Sequence, residues 1–232
     1  MPIPIPSLGD LREGITALSK PWRAFRGYRL LVFGTKGVGK TTLWRHLETG
    51  TSVTASISTT LAPEAIDKFK LRKIKVAKLI RVRILGVDVP GDSNLRSTWK
   101  ETLYELGPPP DGIIFMMDNV EDTEKGVPSI GYDQSRLDEH RPAFKHLSDL
   151  IFNNSDVMDK LQALLVLVNK NDSWPSTLQY GDLIKASGLD ELLVRFDNDK
   201  ELPQLRRRTQ PCSARYGGNI QGSIAWMARN FK

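Results

Sequence analysis

Apolar residues along this chain come in two rhythms. Residues 29–33, 111–118 and 161–168 are largely continuous apolar runs, the pattern of strands covered on both faces. Residues 79–88 begin differently: Ile80, Val82 and Ile84 alternate with Arg81 and Arg83 before the run turns apolar up to Val89. Stretches compatible with helices fall at 39–48, 95–106, 138–151, 179–187 and 218–231, and two further strands at 68–76 and 206–212. The alternation of strand and helix predicts an α/β fold, doubly wound around a mainly parallel sheet. The pair 68–76 and 79–88 supplies one antiparallel edge strand.

Two segments stand outside that alternation. At the start, Leu8, Leu11, Ile15, Leu18, Trp22 and Phe25 recur every three or four positions among Arg12, Lys20, Arg23 and Arg26. This predicts an amphipathic extension over residues 1–27, redirected at Pro21. Its apolar face, within residues 8–25, can pack on the chain's own domain, dock to a protein or lie on a membrane. Residues 119–137 mix Glu121, Asp122, Glu124, Lys125, Pro128, Gly131 and Asp133 without periodicity, which predicts a surface insertion. The remaining length, 28–232, suits one domain rather than two: the 232 residues are 40% apolar and 26% charged, ordinary for a globule with a continuous core.

The string GTKGVGKT at residues 34–41 follows the first apolar run and leads into a helical stretch. Gly34, Gly37 and Gly39 permit tight turns that aim backbone amides inward, and the next helix presents its positive end. Phosphate oxygens fit such a cradle, lined by Thr35, Lys36, Val38 and Thr42. Lys40 is placed to reach β and γ phosphates, and the Thr41 hydroxyl to meet Mg²⁺.

At the end of the 79–88 strand stands Asp88-Val89-Pro90-Gly91. Alone it reads as a turn; after a phosphate loop, Asp88 becomes a candidate for Mg²⁺ and the Gly91 amide for the γ phosphate. Between the two lies the hydroxyl-rich segment 56–63, where Thr59, or else Thr60, can complete the metal's shell only when a γ phosphate is present. A plain solvated loop is its other reading.

Asn169-Lys170-Asn171-Asp172 follows the apolar run 161–168. The Asp172 carboxylate can accept from guanine N1 and the exocyclic amine, donors that adenine does not offer in that arrangement, while Asn169 braces the pocket and the stem of Lys170 covers the base. Cys212-Ser213-Ala214 then precedes Gly217-Gly218, so the backbone at Ser213 and Ala214 can face a base carbonyl, with the Ala214 amide as the candidate donor; alone the tripeptide reads as a structural turn. Cys212 itself reads as a packed side chain, with no activating partner in view.

These pieces, in this order, resemble a small Ras-superfamily GTPase of the Arf-like and signal-recognition-particle-receptor-beta branch, over roughly residues 26–232. Trp99, the strand at 112–118 and the final helix add to that likeness. The resemblance implies GTP or GDP with Mg²⁺ as ligands, a P-loop small-GTPase fold, and switch segments near 50–65 and 88–104 that hold an effector or regulatory protein. One position departs. Where the family carries glutamine after the DxxG glycine, this chain has Asp92, which lacks an amide donor for developing charge, so slow intrinsic hydrolysis is expected even with Lys40 and Gly91 in place. No arginine finger is assignable among Arg81, Arg83 and Arg96.

Charge changes the picture little. The formal net charge is +6, much of it crowded between residues 68 and 83, where a solvated edge strand, an acidic partner, anionic lipid or nucleic acid are the readings open. No membrane span, signal peptide, glycine for myristoylation or terminal prenylation cysteine is evident, so a cytoplasmic protein, peripheral at a membrane if the first segment docks there, is expected. Besides a slow GTPase switch, two alternatives stand: a nucleotide-bound scaffold with little turnover, and a GTPase that acts on nucleic acid.

Overall fold

The computed structural model describes residues 28–53, 64–66, 84–89, 91, 93–105, 107–119, 133–198, 200 and 202–231. Its sheet has six strands, β1 (Tyr28–Gly34), β2 (Glu64–Ile66), β3 (Ile84–Asp88), β4 (Gly112–Met117), β5 (Ala163–Val168) and β6 (Arg206–Pro211), in the order β2-β3-β1-β4-β5-β6. All neighbours run parallel except β2, which pairs antiparallel with β3. The doubly wound, mainly parallel sheet with one antiparallel edge is thus the observed architecture.

Period-two alternation divides the central strands between two cores. Leu31, Phe33, Ile113, Phe115, Leu164 and Val166 face one side, against α2 (Ser97–Tyr104), α3 (Gln134–Phe152), α4 (Ser155–Lys160), α5 (Tyr180–Ala186) and α6 (Leu189–Asn198). Leu30, Val32, Ile114, Met116, Leu165 and Leu167 face the other, against α1 (Lys40–Thr49) and α7 (Ile220–Asn230). Every residue of β4 and β5 is buried, which is why those segments read as unbroken apolar runs. At the far edge, β6 carries Arg206, Arg207 and Arg208; Arg207 Nε donates to Asp197 Oδ1 at 2.7 Å, and Arg208 lies over the Trp226 ring.

Some expectations fall outside the described residues, and others are corrected by the structure. The strand predicted at 68–76 lies outside the described residues, as does the basic stretch 68–83; the described antiparallel partner of β3 is β2, between the hydroxyl-rich segment 56–63 and that predicted strand. The helix predicted from 138 begins at Gln134, because the Asp133 side chain accepts from the Arg136 amide at 3.2 Å and caps it. The segment 119–137 is therefore not all surface insertion: Asn119, Arg136 and Leu137 are buried, and 120–132 lie outside the described residues. Two short helices, α4 and α6, were not anticipated. In α6, Leu189, Leu193 and Phe196 are the buried positions, a legible helical spacing passed over because the alternation calls for only one crossover helix between β5 and β6. Residues 1–27 also lie outside the described residues.

Trp99 anchors α2 to the sheet. Its side chain is fully buried, 5.1 Å from Phe33 and 5.9 Å from His146 between ring centroids. Trp99→Ala should lower unfolding free energy by about 3 to 5 kcal/mol in urea titrations followed by circular dichroism.

Candidate functional site

The candidate site gathers at the carboxyl ends of β1, β3, β4 and β5, where an open parallel sheet leaves its backbone ends uncovered. β1 ends at Gly34 and α1 begins at Lys40, so residues 35–39 form the loop between them. Lys40 is buried, and its Nζ donates to the Gly34 and Thr35 carbonyls at 3.0 and 2.8 Å. The lysine is thereby folded back over its own loop, with its charge held at the mouth of the turn. Thr41 and Thr42 follow, half-buried, in the first turn of α1.

The β1–β3 register places Val32 opposite Asp88, so the chain leaving β3 passes beside the loop. At Gly91 the approach is so close that a Cβ would collide with Lys40 Nζ and the Thr35 carbonyl. Only glycine fits there, and the close contact brings this connection to the lysine that the sequence assigned to phosphate. Thr59, Thr60 and Asp92 lie outside the described residues.

Asn169 joins three separate stretches. Its Nδ2 donates to the Val38 carbonyl at 2.8 Å, and its Oδ1 accepts from the Ala214 amide at 2.8 Å and from the Cys212 thiol at 3.4 Å. The amide expected to read a base carbonyl is thus engaged by Asn169 in this structure. Asp172 sits in the single helical turn Asn171–Ser173, solvent-exposed, whereas Ser213 is buried beneath the following turn. Burial pushes the Cys212 thiol well above its ordinary range, with the Asp172 charge adding to the effect, which suits a packed side chain rather than a nucleophile.

A buried polar cluster that the sequence reading missed lies behind the loop. Asp118, fully buried after β4, accepts from Arg136 Nε at 2.7 Å, and Lys170 Nζ forms an ion pair at 2.8 Å from its other oxygen, outside hydrogen-bond geometry. The His140 ring bridges Asp118 and the loop: Nε2 is 2.7 Å from the Asp118 carbonyl, and Nδ1 is 3.1 Å from Thr35 Oγ1. These distances suit an Nε2–H that donates to the carbonyl and an Nδ1 that accepts from the threonine. Asp118 was visible at the end of its strand, but Arg136 was hidden in a segment that lacked periodicity. Lys170, predicted to cover a base with its stem, spends its charge on this carboxylate.

The sequence profile of Arf, the ADP-ribosylation factor family, matches residues 15–231. The chain belongs to the ADP-ribosylation factor family. Membership makes it a GTP- and GDP-binding switch protein of the Ras-like superfamily, within the small GTPases. No match was found to a curated protein. Among solved structures, this Arf-family chain is similar to one from the mammalian SRP receptor, with 17% identity, a TM-score of 0.54, and coverage of 86% of this chain and 99% of that one. It is also similar to the Arl6 BBS3 small GTPase from Trypanosoma brucei with bound GppNp, at 16% identity and a TM-score of 0.53, covering 87% of this chain and 95% of that one. Translation elongation factor SelB from Methanococcus maripaludis, bound to GppNHp, is similar at 18% identity with a TM-score of 0.49; the match covers 89% of this chain but spans only 34% of SelB. At such identities the likenesses to the SRP receptor and Arl6 structures establish the fold. Among the described residues, no helix is long and apolar enough to cross a membrane.

Burial pushes the Asp118 carboxyl up, but the His140 hydrogen bond and the Lys170 and Arg136 charges outweigh it and bring the carboxyl to about 2. Its folded value is therefore below the unfolded one, near 3.9, so its contribution is full above that range and lost as pH falls towards 2, an effect on the order of 2 kcal/mol. Urea titrations across pH should show Asp118→Asn less stable than the parent by a constant margin from about pH 5 to 8, and the margin should shrink between about pH 4 and 2.

Proposed function

We propose that this Arf-family chain binds GTP or GDP with Mg²⁺ through residues 34–42, 88–91, 169–172 and 213–214, hydrolyses GTP slowly, and changes partner affinity with nucleotide state. The observation that carries the reading is Asn169, whose bonds to Val38 and Ala214 tie the phosphate loop to the base segment. A loop for phosphates and a loop for a base, held at fixed separation by one buried amide, fit a nucleotide and not a bare phosphate. On this reading Asp172 accepts from guanine, and reading of the base carbonyl requires the Ala214 amide to share or exchange its bond to Asn169. Residues 28–232 form the nucleotide domain, and residues 1–27 an appended docking segment.

The metal fits the donors available. Thr41 and Asp88 supply hard oxygens on neighbouring elements, the donor type that Mg²⁺ takes, and Thr59 is the candidate to join them in the triphosphate state. When bound, the ion would neutralise charge on the β and γ phosphates. Lys40, already turned toward the loop, adds a fixed positive charge beside them, and the Gly91 amide can donate to the terminal phosphate. Segments 50–65 and 88–104 then report the γ phosphate to an effector or regulatory protein. The glutamine-like role is the weak link, because an Asp92 carboxylate can accept from water but cannot donate to the charge that develops.

Nucleotide competition tests the base assignment. GTP and GDP should displace a fluorescent guanine nucleotide far better than ATP, and Asp172→Ala should erase the preference; equal displacement by ATP in the parent protein defeats the guanine reading.

Single-turnover assays without any activator test the reaction. Hydrolysis should run on the order of 10⁻³ per second or slower, and Asp92→Gln should quicken it. A fast parent rate abolished by Asp92→Ala would end the slow-switch account, and no turnover in either form would favour the scaffold.

A further inference from the structure

We infer that Arg136 is a positioning residue for the phosphate loop: by holding the Lys36 carbonyl from behind, it turns the Gly37 amide toward the phosphates of a bound nucleotide. The inference rests on the guanine-nucleotide reading and deepens it. Arg136 Nη2 donates to the Lys36 carbonyl at 2.6 Å. No peptide bond among the described residues is cis, and across a trans peptide the carbonyl and the next N–H point in opposite directions. The Gly37 N–H is therefore directed away from Arg136 and the α3 wall. Gly37 has φ 75°, and a glycine beside a peptide offers little steric resistance to its rotation. Something other than local sterics must hold that peptide in one orientation, and the guanidinium does so.

The guanidinium is itself over-determined. Its Nε is held by the buried Asp118 at 2.7 Å and its Nη1 by Glu139 Oε2 at 2.6 Å, one turn along α3. Three edges of a planar fork are thus committed to three acceptors, an arrangement that lysine's point charge cannot copy. His140, one turn further on, steadies the preceding residue through Thr35 Oγ1. Because the same Asp118 carboxylate also pairs with Lys170, the wall that orients the phosphate loop and the lysine of the base motif share one buried charge.

The test separates orientation of one amide from simple support of the core. GDP and GMP affinities, with Mg²⁺ present, are measured for the full chain and for Arg136→Met, together with melting temperatures. The variant should lose roughly tenfold or more in GDP affinity while GMP affinity changes by less than about threefold, since the lost donor serves the outer phosphate. Should Arg136→Met fail to fold, Arg136→Lys keeps a charge beside Asp118 but cannot span to Lys36, and the same selective loss is expected. Equal losses for GDP and GMP, or a GDP to GMP ratio unchanged from the parent, overturn the inference even if the melting temperature falls. Failure of the parent protein to bind GDP overturns the functional reading and this inference with it, whereas parent binding with a preserved ratio in the variant overturns this inference alone.

Discussion

The polar groups of the candidate site are arranged by one constraint: the central strands are buried on both faces. β4 and β5 offer no side chain to solvent along their length, so charged groups can enter only where those strands end. Asp118, Asn169 and the residues after β1 all stand at that one rim. A parallel sheet turns each crossover back from the same side, which collects loops from distant parts of the sequence at a common edge. The site is a product of the burial pattern before it is a product of any motif.

At that rim, two buried polar residues do different jobs. Asn169 works through neutral hydrogen bonds that link loops, and its amide has both ends occupied. Asp118 works by charge and holds two cationic side chains, Arg136 and Lys170, in a buried space that the His140 ring also lines. Buried charge is costly unless fully paired, so the surroundings of Asp118 tolerate few arrangements. Rigidity behind the loop follows from that intolerance.

Much of this was legible in the sequence because it depended on local pattern. Continuous apolar runs identified β1, β4 and β5, and the strings at 34–41 and 169–172 identified the loops attached to them. What was not legible came from long-range pairing. β2 is a three-residue strand that exists only because β3 lies beside it, and no periodicity can develop in so short a stretch. Arg136 looked like one more charge in an irregular segment; only the fold brings it against Asp118 and the Lys36 carbonyl. The Ala214 amide was assigned from its place in the order of motifs, and the structure shows the competing acceptor, Asn169, that linear order cannot reveal.

The arginines of β6 bear on a different matter, the company that this protein keeps in concentrated solution. A parallel sheet that does not close into a barrel presents an outer backbone that could template another copy. Here the border is a strand with guanidinium groups on alternate sides, one tied to Asp197 and another over Trp226. An approaching strand would have to strip water from those cations and face their mutual repulsion. At β6 the described sheet thus ends in charge, which resists growth beyond this strand.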